Sequence, residues 1–379
     1  QFPQTPVEKA PGTVAGIDPD FKLPQVWKNT LAADFKLPLP FNTEMTIEGI
    51  YAKNLNAVIQ QNVNVIPLSD SKMKRFAGPD NRYLYPGSTE SCIYKDMSGA
   101  YILTNTTKGY SYSLNASLRM NPIENLNAML SYTYTGSKEV SGNPGAQPNE
   151  LWQNVPTVNG GNYMELTNSQ YLTPHKVIAS LSYRIPYAKN FATSVSLFYS
   201  GYNAGNFSYM YDGDMNQDGI NNDLIYIPKS KDELTFVDKN GFTAEQQAEA
   251  FWNYVNQDSY LKNHKGEYAK AYSARYPWVN QIDLKVVQDF IVKAGKTTNT
   301  LQVSLDIFNL GNLLKDTWGV TKVPVNSGRI LKYEGVTADN VPTFSMYQSE
   351  NKLPTETFSY LKNSSNCWQI QVGIRYIFN

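Results

Sequence analysis

The chain has 379 residues, its 33 basic and 33 acidic side chains balance, and 27 tyrosines stand against two histidines and two cysteines. That inventory excludes a disordered chain, a disulfide scaffold and, for want of a basic surface, an electrostatic binder of nucleic acid. No apolar run approaches the ~18 residues of a membrane-spanning helix, but alternating barrel strands leave average hydropathy low, so spanning by strands stays open.

In chain order, Gln1-Phe2-Pro3-Gln4-Thr5-Pro6 has no initiator Met and no basic or apolar signal region. It reads as the product of a removed signal or as an interior stretch of a longer chain. Residues 1–25 read as an outer-loop segment. From there period-two alternation dominates, with strands expected over 27–37, 45–51, 110–120, 126–134, 176–185, 191–199, 280–292, 300–308 and 368–378. The last is the clearest. Trp368, Ile370, Val372, Ile374, Tyr376 and Phe378 share one face, and Gln369, Gln371, Gly373 and Arg375 the other.

Short links at 38–42, 121–124, 186–190 and 293–299 alternate without exception with long ones at 53–109, 136–175, 201–279 and 310–366. A soluble β-sandwich has no reason to gather every long loop at one end; an outer-membrane barrel has short turns inside and long loops outside. On the apolar face Trp27, Tyr110, Tyr112, Tyr134, Tyr199 and Trp368 fall near the long-loop ends. Phe35, Tyr183, Phe191, Phe290, Tyr376 and Phe378 fall near the short turns, which makes two interfacial girdles. The other face carries Asp34, Lys36, Glu48, Arg119, Lys176, Arg184, Asp283, Lys285, Asp306 and Arg375, charges that suit a wet lumen and not a dry core. The expected fold is all-β, a transmembrane antiparallel β-barrel in the cell outer membrane with long extracellular loops. Single-chain bacterial barrels use an even number of strands. Nine strands, the first and last both descending, therefore read as the C-terminal part (26–379) of a larger barrel. About thirteen more would complete one of about 22, the size of plugged transporters.

Asp214, Asn216, Asp218 and Gly219 fit positions one, three, five and six of a calcium loop, with Asp223 following. Ile225 stands where the bidentate Glu would be, so a polar turn that binds nothing is the equal alternative. Thr243-Ala244-Glu245-Gln246 is a capping box opening a helix to about residue 256, with Phe251, Trp252 and Val255 as its expected buried stripe. His175 and His264 have no nucleophile or metal partner at motif spacing, and no triad, phosphate loop or zinc box appears, so no enzymatic activity is expected. Cys92 and Cys367 both map to the outer side, and spacing leaves their pairing open.

Gly213-Asp214-Met215-Asn216-Gln217-Asp218-Gly219 running into Asn222-Asp223-Leu224-Ile225-Tyr226-Ile227-Pro228 resembles a recurring outer-loop motif of Bacteroidota TonB-dependent transporters. Phe308-Asn309-Leu310-Gly311-Asn312-Leu313-Leu314 with Trp318-Gly319 resembles their late-barrel motif. Tyr260-Leu261-Lys262-Asn263-His264-Lys265-Gly266-Glu267-Tyr268 and Pro277-Trp278-Val279-Asn280-Gln281-Ile282-Asp283-Leu284 add to the likeness, which points to the Oar-like branch related to SusC-like transporters. The resemblance implies a plugged barrel and gated import of a peptide, glycan or other large solute; no cofactor is expected to be required, and calcium is a candidate at the acidic loop on its spacing alone. It implies as partners the N-terminal half of the same barrel with its plug, the TonB complex acting through that plug, a surface lipoprotein, and outer-membrane lipid. Plug and TonB box are not in this sequence, and Phe378 is followed by Asn379 where such barrels end on an aromatic residue. Trp152, Tyr209, Tyr211 and Trp252 are the candidate substrate contacts. The alternative is a structural or secretion-associated outer-membrane barrel that does not import.

Overall fold

The computed structural model describes residues 12–39, 41–87, 89–147 and 149–378. The first eleven residues of the expected 1–25 segment, and Asn379, lie outside them. After a short β1 (Thr13–Ile17) come β2 (Gln25–Lys36), β3 (Asn42–Asn62), β4 (Gly99–Thr106), β5 (Tyr110–Asn121) and β6 (Leu126–Glu139). They are followed by β7 (His175–Tyr187), β8 (Phe191–Asn203), β9 (Trp278–Ala294), β10 (Thr297–Phe308) and β11 (Gln369–Phe378). With β1 and β4 set aside, the remaining strands pair antiparallel in sequence order from β2 to β11 and correspond one for one to those expected. β2 and β11 each have one wall neighbour among the described residues, so this sheet is an open arc of barrel.

Register keeps the two faces distinct, because a one-residue slip would exchange them. Phe35, Met45, Leu118, Leu130, Ala179, Tyr199 and Ile282 stand in one row across seven strands. One residue along, Lys36, Glu44 and Arg119 stand opposite one another on the polar face. Both girdles form. Trp27 meets Tyr51 edge-on at 6.3 Å, Tyr134 stacks on His175 at 5.1 Å, and near the turns Tyr187, Phe191 and Phe290 follow one another at 5.9 and 5.7 Å. On the polar face Lys285 pairs with Asp306 at 2.6 Å, Arg184 with Asp289 at 2.5 Å, and Gln302 donates to Asp289 at 2.9 Å.

Alternation ends at residue 51, but β3 runs on to Asn62. At ~3.3 Å per residue it is roughly 70 Å long, far beyond an apolar band of ~25 Å. Its upper part leaves the wall: residues 57–62 pair with 101–106 of β4, and β1 lies parallel on β4. The short turns after Lys36, Asn121, Tyr187 and Ala294 close one end of the sheet, and every long loop leaves the other.

The packed core belongs to the loops. The largest fully buried side chains, among them Arg82, Tyr209, Tyr211, Phe251, Tyr254 and Phe344, all lie outside the wall strands. A wall strand has lipid on one side and water on the other and buries little inside its own chain, whereas four long loops at one end cover each other's apolar surface. The third and fourth loops share a four-stranded sheet of Tyr211–Asp212, Leu331–Val336, Pro342–Met346 and Thr235–Phe236, with helix α1 (Ala244–Gln257) against it. The capping box forms as expected: the Gln246 N–H donates to Thr243 Oγ1 at 3.2 Å and the Thr243 N–H to Gln246 Oε1 at 2.9 Å. The buried stripe of α1 is Gln247, Phe251, Tyr254 and Val255, and Trp252 falls beside it, half-buried. The reason is angular: 247, 251, 254 and 255 follow helical spacing, and 252 is turned ~100° from 251.

Candidate functional site

The acid-rich segment 214–223 is where all four long loops meet. From the first loop, the Tyr85 N–H donates to the Asn216 carbonyl at 2.9 Å, and Arg82 reaches Asp223 at 3.3 Å. From the second, the carbonyls of Gln153 and Val155 accept from Asn222 Nδ2 at 3.0 and 2.8 Å, and the Leu224 N–H donates to the Thr157 carbonyl at 2.8 Å. From the fourth, Arg329 donates to the carbonyls of Tyr211 and Asn221 at 2.8 and 2.7 Å.

Arg82 is the hub. Its side chain is 0% exposed, and Nε and Nη2 donate to the two oxygens of Asp80, each at 2.9 Å. Nη2 also reaches the Leu224 carbonyl at 2.7 Å, and the guanidinium lies over the Tyr211 and Tyr268 rings at 4.9 and 5.3 Å. The hydroxyls of Tyr211 and Tyr268 complete the shell of Asp80 at 2.8 and 3.1 Å. Burial alone would favour loss of the Arg82 proton; the negative charges of Asp80 and Asp223 more than reverse that and hold it charged. All three nitrogens of the planar fork donate, four of its five N–H groups in all, which is what makes a buried guanidinium tolerable.

Inside the acidic loop, Asp214 accepts the N–H groups of Asp218 and Gly219 at 3.1 and 2.8 Å, and Asn216 Oδ1 accepts that of Asp218 at 2.9 Å. Asp218 accepts the Ile220 N–H at 2.9 Å, and Asp223 Oδ2 the Met215 N–H at 2.8 Å. Gly219 takes φ 91°, the left-handed bend that its place in the motif requires. Burial, then the charges of Asp223 and Asp214, push the Asp218 carboxyl up to about 8. Burial raises Asp223 to about 7 against the pull of Arg82, and burial also raises Asp214. Four carboxylates, Asp80, Asp214, Asp218 and Asp223, thus cluster around one guanidinium. Among the described residues no group of three or more His, Cys, Asp or Glu stands in a geometry that would hold a metal ion.

Trp152, Tyr209 and Tyr211 are interior residues, 4%, 1% and 0% exposed. Trp152 donates to Asn162 at 2.8 Å, Tyr209 to Asp258 at 2.8 Å and Tyr211 to Asp80. Of the four candidate contacts only Trp252 presents surface, with the Lys265 ammonium 4.2 Å from its ring centroid. A cavity of about 320 Å³ opens beside the acidic loop, lined by Thr157, Tyr163, Glu165, Tyr268 and Lys270 among others. Thr157 is 3% exposed and its Oγ1 has no hydrogen-bond partner. His175 sits on the apolar face against Tyr132 and Tyr134, and His264 stacks on Tyr260. Cys92 is half-buried in the first loop; Cys367 is an exposed free thiol donating to the Asn363 carbonyl at 3.5 Å. Sequence reasoning missed Asp80, Arg82 and the Thr157 cavity, for their partners lie far off in the chain and no spacing rule joins them.

A family model described as outer membrane beta barrel domain matches residues 1–328. Neither a curated protein nor a solved structure matches the chain.

Proposed function

Since this chain belongs to the outer membrane beta barrel domain family, we propose that it forms the C-terminal wall and outer loops of a TonB-dependent transporter importing a large solute. The observation that carries this reading is the pairing of an open barrel arc with a folded cap of loops at one end. Lipid-exposed sheet edges do not persist in a bilayer, so β2 and β11 call for further strands, which the N-terminal half with its plug would supply. Long loops with their own packed core suit capture of a solute outside the membrane, and the charged, paired lumen face suits its passage without covalent chemistry. The Thr157 cavity and the half-buried Trp252 with Lys265 over its ring are the loop surfaces offered to that solute.

The test is intact-mass analysis of the assembled complex, coupled to solute uptake by cells. The expected result is a partner contributing about thirteen strands and a plug, with uptake abolished when the inner-membrane proton gradient is collapsed. A barrel held by a secretion partner, with uptake indifferent to the gradient, would favour the non-importing alternative.

We further propose calcium at Asp214, Asn216, Asp218 and Asp223. The donor chemistry suits Ca²⁺, hard oxygens on a tight turn in excess of the one nearby positive charge, and binding would require these side chains to turn from the N–H groups they now accept. In chelator, Asp218 and Asp223 hold protons more tightly folded than unfolded between the ordinary value of 3.8 and about 8 and about 7 respectively. Their stabilisation is therefore full below the ordinary value and is lost as pH rises through the folded ones, more steeply where both groups contribute than where Asp218 alone does. With millimolar Ca²⁺ the sign reverses, because the cation replaces those protons and its stabilisation grows over the same range. Hydrogen exchange of residues 211–227 reads both slopes. A calcium response unchanged in Asp218→Ala would sink the site.

A further inference from the structure

At the long-loop end the apolar face of the wall has a notch. β10 stops at Phe308, with Ile307 opposite Leu284, so the first residues of β9 have no strand on that side. Asn309, at φ 53°, turns the chain away, its N–H held by Asp283 at 2.8 Å, and the Gly319 carbonyl returns to accept from Gln281 at 3.4 Å. The space left is a cavity of about 420 Å³ lined by Trp278, Ile282, Gly311, Trp318, Lys322 and Tyr360.

Its floor is continuous with the apolar face. Ile282 is level with the girdle residue Tyr199, and Trp278 stands two pleat repeats higher on the same side of β9. Asn280 satisfies both polar tips, accepting from Tyr199 OH at 2.7 Å and Trp278 Nε1 at 2.9 Å, which leaves the ring faces for apolar contact. The upper rim is cationic: Lys322 Nζ lies 4.7 Å from the Tyr360 centroid and Lys315 Nζ 5.8 Å from that of Trp318. Among the described residues no carboxylate stands within ion-pair distance of either lysine. Beside them Leu314 and Trp318 are exposed. An apolar wall below, aromatic rings at the interface and unneutralised lysines above are matched by one kind of occupant, an anionic amphiphile.

We propose that this notch binds an anionic phospholipid, its phosphate on Lys322 with Lys315 flanking and its acyl chain along Ile282. The site depends on the barrel assignment alone and stands whether or not the barrel imports. The test uses the assembled barrel, delipidated in a neutral detergent and offered phosphatidylglycerol or phosphatidylcholine, with retained lipid counted by native mass spectrometry. Wild type is expected to prefer phosphatidylglycerol about fivefold, the worth of one interfacial lysine. Lys322→Gln should abolish that preference, Lys322→Arg keep it, and Trp318→Ala weaken both lipids. Equal retention of the two lipids by wild type, a preference that survives Lys322→Gln, or displacement by millimolar inorganic phosphate would each overturn the proposal. If Lys322→Gln fails to assemble, the wild-type ratio and the phosphate competition still decide.

Discussion

Arg82→Met is expected to open the loop domain at a cost of roughly 3–5 kcal/mol, the penalty for removing one partner of a buried ion pair. The substitution keeps most of the side-chain volume and takes away the charge that Asp80 and Asp223 face. Two carboxylates would then remain uncompensated beside Asp214 and Asp218, and the Tyr211 and Tyr268 rings would lose the guanidinium that lies over them. Hydrogen exchange should show protection lost in 80–85, 209–227 and 266–271 together, since Arg82 touches all three, through Asp80, through Asp223, the Leu224 carbonyl and the Tyr211 ring, and through the Tyr268 ring. The wall strands should keep theirs, because their ladders do not involve it. Protection unchanged in the loops would mean the hub is not what joins them. Adding calcium should not restore the loops, for Arg82 holds Asp223 from outside the turn.

A charge placed on the apolar face of the wall should cost nearly as much. Leu284 lies in mid-strand between Leu197 and Ile307, and Val287, three residues on, lies between Ser194 and Ser304 on the other face. Leu284→Arg is expected to cost about 2–4 kcal/mol near the midplane of the bilayer. Val287→Arg faces water and should fall within ~1 kcal/mol of wild type. Urea titration of the barrel folded in lipid vesicles, read by heat-sensitive gel mobility, compares the two. Equal tolerance at both positions would remove the lipid from that face, and with it the basis for a lipid in the notch above.

The wall was legible because the property that makes it is local. Alternation puts Trp368, Ile370 and Val372 on one side whatever lies elsewhere in the chain, and pairing then aligns strands already sorted by face. The girdle residues and the lumen charges could be named for the same reason, and so could the Thr243 cap, complete within four residues. Where local signals ran out, readings of single aromatic residues became ambiguous. Tyr209 and Tyr211 offer the same ring and hydroxyl to a solute as to a core, and only their neighbours, Asp258 and Asp80, show which they serve here.

By itself, then, the sequence determined an all-β wall with its apolar and wet faces, its girdles and the end from which the long loops leave, because each follows from the chemistry of residues two apart. Only the tertiary structure decided that those loops form one packed body, that Arg82 and Asp223, far apart in the chain, share a buried ion pair, and that a notch opens beside β9. Those contacts join residues that no periodicity relates. What places them is mutual burial of apolar surface and pairing of desolvated charge, quantities that exist only once the chain has folded.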